Sequence, residues 1–211
     1  MSSAIRAPSP AEIRALKARD PRLGAALARV PRYPGVVPAT RRMSTFAYLA
    51  RAIVYQQLAG AAARTIYGRV CRLTPGPGFP SPREILALPE EALRAAGLSA
   101  AKRRSITELA AQVEAGTLRL AGLSRLPDDE VVARLTTVWG IGEWSAQMYL
   151  MFKLGRLDVM PGTDLGIREG LRRLEERTER PTPSEVLERA EPWRPLRTVA
   201  SWVLWRLCDE R

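Results

Sequence analysis

Two groups of residues in this chain have the types and spacing to do chemistry, and both lie in one stretch. Asp164 follows Asp-Val-Met-Pro-Gly-Thr and opens a periodic segment that runs to about Glu176. A carboxylate in that place can stabilise a positive charge developing beside it, or orient or deprotonate a water. It can equally be a helix N-cap. Upstream, Gly140-Ile141-Gly142 separates two helical segments. Two glycines around one apolar residue allow a tight turn that exposes successive backbone N–H groups, with Ile141 tucked inside to fix it. The next helix adds its own free N–H groups and positive dipole end. Such a turn binds an anion without a charged side chain, although a plain helix–helix connection has the same pattern. Between the two groups runs a nearly all-apolar helix, Glu143 to Leu154, with Trp144 near its start.

Three other features ask for partners. Phe46, Leu49, Ala50, Ile53 and Val54 fall on one helical stripe, and its extension lands on Gln56 and Gln57. Amides at the end of a buried face either hydrogen-bond a neighbouring loop or face a polar ligand. Lys102, Arg103 and Arg104 crowd the first turn of a helix. They oppose its dipole, so they form either a solvated run or a phosphate contact. Trp202 and Trp205 lie off the Leu196, Val199, Val203, Leu207 stripe of the last helix. They build a second core wall or line a cleft, Trp202 being the stronger cleft candidate.

The elements that must position these groups are all helical. N-terminal proline signals start segments at Pro10, Pro21 and Ser81-Pro82, and Ser44 is a cap for the Phe46 stripe. Residues 32–42 read as a linker, Thr74 to Pro82 as a stiff Pro/Gly loop, and Gly60 as the end or break of the Phe46 helix. No alternating strand pattern occurs, so the expected fold is all-α, with about ten helices. At 211 residues the chain is long enough for one sizeable domain or two small ones sharing a cleft.

Composition narrows the partners. Lys plus Arg outnumber Asp plus Glu by 33 to 22, a net charge of +11, which points to a polyanion such as nucleic acid. The bland alternative is a solubilising basic surface. Histidine is absent, which removes the commonest general base and any His-based metal site. The two cysteines, Cys71 and Cys208, are too few for a disulfide framework or a four-cysteine metal or iron–sulfur site. They read as core thiols of a cytoplasmic protein. No signal peptide and no apolar run of about 18 residues is present, so no membrane partner is expected.

In combination these motifs resemble a family. Leu-x-x-Val-x-Gly-Ile-Gly-x-Trp-Ser-Ala (135–146), Asp-Val-x-Pro (158–161) and Asp-Leu-Gly (164–166) are similar to the helix-hairpin-helix/Gly-Pro-Asp superfamily of DNA base-excision glycosylases. Ala-Ile-Val-Tyr-Gln-Gln-Leu (52–58) is similar to the Ile-x-x-Gln-Gln signature of its 3-methyladenine DNA glycosylase II branch. The resemblance covers about residues 44–208. Trp139 departs from it, since proline usually precedes the first hairpin glycine.

The resemblance implies two helical domains with a DNA-binding cleft between them and no iron–sulfur cluster. One domain is residues 42–155; the other is discontinuous, 1–41 plus 156–211. It implies Asp164 as the catalytic carboxylate and Gly140, Ile141, Gly142 and Ser145 as the DNA-binding hairpin. The carbonyls of Gly140 and Gly142 could hold Na+ or K+, and no other cofactor is implied. Gln56, Gln57 and Leu58 would be the wedge that fills the gap left by an extruded base. Trp144, Met148, Tyr149 and Trp202 would line the base pocket. Where strand-nicking relatives carry a Schiff-base lysine this chain has Trp144, so the resemblance implies a monofunctional enzyme. The expected activity is hydrolysis of the N-glycosidic bond of alkylated bases in double-stranded DNA by a monomer. The rivals are a non-catalytic helix-hairpin-helix DNA-binding protein and a glycosylase for uncharged or mismatched bases.

Overall fold

The computed structural model describes residues 6–209. Among them are thirteen α-helices and no strand, as the lack of alternation implies. Helices α1 (Pro10–Arg19) and α2 (Pro21–Arg29) are set by their caps. Ser9 Oγ accepts from Glu12 N at 3.2 Å and Glu12 Oε2 accepts from Ser9 N at 2.8 Å, a reciprocal capping box. Asp20 caps α2 through Leu23 N at 3.0 Å. The stretch 32–42 is not wholly a linker, because Pro38 starts a short helix, α3 (Pro38–Arg42).

Ser44 caps α4 (Thr45–Tyr55) through Ala47 N at 3.1 Å, and the whole Phe46–Val54 stripe is buried. The helix then stops just past its apolar stripe, at Tyr55, and does not run on to Gly60. Lys102 Nζ donates to the carbonyls of Val54 and Gln56, at 2.8 and 2.9 Å, and so caps the C-terminal end. Gln57 turns left-handed, with φ 55°. Gly60 therefore begins α5 (Gly60–Cys71) instead of ending α4. Next come α6 (Pro82–Ala87), α7 (Glu90–Ala95), α8 (Ala100–Glu114) and α9 (Asp128–Leu135). The apolar helix is α10 (Glu143–Tyr149) only at first, since Leu150–Leu154 continues as a wider π-helix. Arg156 N closes it on Leu150 O at 2.9 Å, after Gly155 at φ 70°. The chain ends with α11 (Leu165–Leu174), α12 (Pro183–Arg189) and α13 (Arg197–Asp209).

The described residues form two compact units, 38–149 in one and 6–37 with 150–209 in the other. The first is built on Leu49, Ile53, Ile106, Leu109 and Leu135, each 1% exposed or less. The second is built on Leu16, Leu23, Ile167, Leu171 and Val203, each fully buried. At about 1.5–3 kcal/mol per buried aliphatic side chain, these contacts hold α8 under the hairpin and α11 against α13. No helix among the described residues is long and apolar enough to cross a membrane.

Candidate functional site

In the first unit the hairpin between α9 and α10 hangs from Val138 and Ile141, 1% and 4% exposed, with Ile141 N donating to Val138 O at 3.0 Å. Its two glycines differ, and the fold itself requires only the first. Gly140 has φ 84°, and a Cβ there would lie 2.1 Å from Ser105 Oγ on α8. Both backbone and packing therefore exclude a side chain. Gly142 has neither constraint, since a Cβ there would meet nothing within 4 Å. The space it leaves opens outward, at the start of α10.

The side chains named with the hairpin mostly hold it together. Gln56 Nε2 donates to Gly140 O at 3.0 Å and to Ser145 Oγ at 3.4 Å. Gln56 is thus a brace between the α4–α5 turn and the hairpin, not part of a wedge. Of the expected wedge only Gln57 and Leu58 are exposed, Leu58 by 38%. Ser145 is buried with its hydroxyl accepting from Gln56, so any part it takes in binding falls to its backbone. The two carbonyls named for a cation each accept an N–H already, Gly140 from Gln56 Nε2 and Gly142 from Ala146 N. Each carbonyl oxygen keeps a second lone pair beside that N–H.

The aromatic residues of α10 divide. Trp144 is 43% exposed in the first turn, and Met148 is half-buried. Tyr149 is 1% exposed, edge-on to Tyr48 at 5.8 Å, and belongs to the core instead of a pocket wall.

In the second unit Asp164 is the N-cap of α11. Its Oδ1 accepts from Ile167 N at 2.9 Å and from Trp205 Nε1 at 3.0 Å. The Trp205 indole lies over the first turn of α11, where a Cβ on Gly166 would be 2.9 Å from Trp205 Cδ1. Phe152, from the π-helical segment, packs against its ring at 5.9 Å. Both readings of Asp164 meet here, because the cap bond is made and the half-buried carboxylate is fixed in direction by a second donor.

The tryptophan beside Asp164 is therefore Trp205, and Trp202 faces other neighbours. Trp202 Nε1 donates to Pro31 O at 2.8 Å, Tyr33 meets its ring edge-on at 6.2 Å, and Arg206 covers it at 4.6 Å. Residues three apart on a helix share type and amphipathic position but face different neighbours. The usable signal was Gly166, whose missing side chain leaves room over α11 for an indole.

Comparison with known proteins places this arrangement. The model of the HhH-GPD superfamily base excision DNA repair protein matches residues 50–195. DNA-3-methyladenine glycosylase 1 of Schizosaccharomyces pombe is 40% identical over 159 residues, spanning 75% of this chain and 70% of the relative. DNA-3-methyladenine glycosylase 2 of Escherichia coli is 30% identical over 194 residues, 87% of this chain and 62% of the relative. A solved structure of the Schizosaccharomyces pombe 3-methyladenine DNA glycosylase, in complex with abasic DNA, superposes with a TM-score of 0.73 at 34% identity, covering 94% of this chain and 96% of that one. The chain belongs to the HhH-GPD superfamily of base excision DNA repair proteins.

Proposed function

We propose that this protein is a monofunctional DNA glycosylase that hydrolyses the N-glycosidic bond of alkylated bases of the 3-methyladenine and 7-methylguanine type, leaving an abasic site. The observation that carries this reading is Asp164, a half-buried carboxylate fixed by the Ile167 and Trp205 N–H groups and placed in its family's motif. The glycosylase names of the relatives support it.

The target base is stacked inside a duplex, so it must be extruded at a cost of a few kcal/mol. Gln57 and Leu58, exposed at the α4–α5 turn, are the residues to fill the vacated place. The hairpin N–H groups take a backbone phosphate through the opening that Gly142 leaves. A purine alkylated at N3 or N7 is cationic, and stacking it on the exposed Trp144 face adds roughly 0.5–2 kcal/mol. Its charge also makes it a good leaving group, so a chain without histidine needs no general acid. As the bond breaks, the sugar becomes oxocarbenium-like, and the negative charge of Asp164 stabilises it. A carboxylate oxygen already holding two N–H donors suits charge stabilisation better than proton abstraction. No step uses a cation at the hairpin.

The absence of strand nicking follows from Trp144, which cannot form a Schiff base. Lys153 is 9% exposed within the π-helical segment, and burial lowers its ammonium pKa. A low-pKa lysine is a good nucleophile, but one buried there is shielded from an abasic sugar. The test is release of free bases from duplex DNA treated with a methylating agent. Release of 3-methyladenine or 7-methylguanine is expected, and none would sink the reading. Borohydride should trap no covalent protein–DNA adduct. An adduct lost in Lys153→Ala would show a lyase instead.

A further inference from the structure

The cationic run on α8 puts three positive charges where the helix dipole is also positive. The protein holds two of them. Lys102 Nζ caps the carbonyls of Val54 and Gln56. Arg103 reaches Leu98 O at 2.8 Å and Glu90 Oε1 at 3.1 Å. Arg104 differs. It is exposed, no carboxylate among the described residues pairs with it, and its guanidinium carbon lies 4.3 Å from the centroid of the Trp139 ring.

Trp139 itself is 41% exposed and directly precedes Gly140. Its backbone N–H donates to Glu108 Oε1 at 2.9 Å, one turn along α8 from Arg104. Ser105, the next residue after Arg104, is the one packed on Gly140. The arginine–tryptophan pair is thus braced on α8 and stands at the shoulder of the hairpin. A guanidinium held over an indole face still has N–H groups available for a phosphate contact. An unpaired cation at a positive helix end and a large indole face in water are each unfavourable alone. One anionic, sugar-bearing partner relieves both.

We propose that Arg104 and Trp139 form a second clamp for the DNA backbone. Arg104 takes a phosphate neighbouring the one at the hairpin, and Trp139 packs against the sugar between them. The clamp rests on the reading of the protein as a DNA glycosylase, and it adds a contact made by side chains to one made by backbone.

Affinity for an undamaged duplex, measured by fluorescence anisotropy across a salt series, tests it. In Arg104→Ala the slope of log affinity against log salt should fall by about one, the loss of one neutralised phosphate. Low-salt affinity should drop about tenfold, within the usual range for a charge-assisted contact. Arg104→Lys should fall between, and Trp139→Ala should weaken binding by roughly threefold by freeing the arginine. Arg94→Ala removes the same charge from an arginine paired with Glu91 and should keep the wild-type slope. Wild-type slope and affinity in Arg104→Ala, or an equal loss in Arg94→Ala, overturns the clamp while leaving the glycosylase reading intact. A wild-type protein that neither binds duplex nor releases methylated bases overturns both.

Discussion

In the proposed reaction the hairpin and the Asp164 turn both present a charge-complementary group to the DNA, by opposite means. At the hairpin the work falls to backbone, and the nearby side chains are supports: Ser105 under Gly140, Gln56 on the Gly140 carbonyl, and Ser145 on Gln56. At Asp164 one side chain carries the charge, and backbone N–H and Trp205 indole are its supports. A phosphate is bound by many weak dipoles that need only be exposed, whereas one charge developing in a transition state is met by one ion that must be aimed. The first arrangement should fail through the fold, and the second through the rate.

The largest contrast should come from Asp164→Asn. Asparagine keeps an oxygen for Ile167 N and Trp205 Nε1, so folding and duplex affinity should stay close to wild type. Loss of the negative charge should slow release of methylated bases by about 100-fold or more under single-turnover conditions. An unchanged rate would reduce Asp164 to a helix cap.

The hairpin glycines give the reverse outcome. Gly140→Ala forces φ 84° on an alanine and puts its Cβ only 2.1 Å from Ser105 Oγ. Left-handed backbone and overpacking together should cost about 2–4 kcal/mol in denaturant unfolding. Adding Ser105→Ala should recover part of that loss. Gly142→Ala should leave stability within about 0.5 kcal/mol and yet weaken duplex binding, because its methyl group occupies the ligand's approach. Equal destabilisation by the two substitutions would refute the division of roles.

Trp205 and Trp202 sharpen the comparison on the Asp164 side. Trp205→Phe keeps the ring near Phe152 but removes the N–H on Asp164, so base release should fall about tenfold, the equivalent of roughly 1.4 kcal/mol. Trp202→Phe loses only the bond to Pro31 O. It should cost about 1 kcal/mol of stability and leave the rate unchanged.

That pair also shows where sequence reading reached its limit. The all-helical class, the N-caps Ser44 and Ser81, and the buried Phe46–Val54 stripe follow from local chemistry and a 3.6-residue period, and all are present. Residues whose neighbours come from distant segments were less legible. Gln56 is held by Gly140, and Lys102 stops α4 from across the unit. Trp205, not Trp202, meets Asp164 because a glycine lies opposite it. Periodicity says that a residue faces inward; it does not say what it faces.

The smallest effects compare one buried phenol from each unit. Tyr48 donates to Met148 O at 3.1 Å, whereas the Tyr33 hydroxyl is buried with no hydrogen-bond partner among the described residues. Tyr48→Phe leaves a carbonyl short of its donor and should cost about 1 kcal/mol, while Tyr33→Phe removes an unsatisfied group and should be neutral or slightly stabilising. Burial pushes both phenols from the ordinary 10 up to about 12. A raised phenol pKa means that folding favours the protonated form. Its contribution is therefore complete below pH 10 and is lost as pH rises through about 12. Phenolate absorbance and circular dichroism, followed together through that window, should move as one transition. Replacing both tyrosines should lessen the fall in stability there, leaving the part that Tyr67, also raised to about 12 by burial, contributes. A phenolate signal that appears near pH 10, before any loss of helix, and that disappears when both tyrosines are replaced would mean that these rings are open to water in the folded protein.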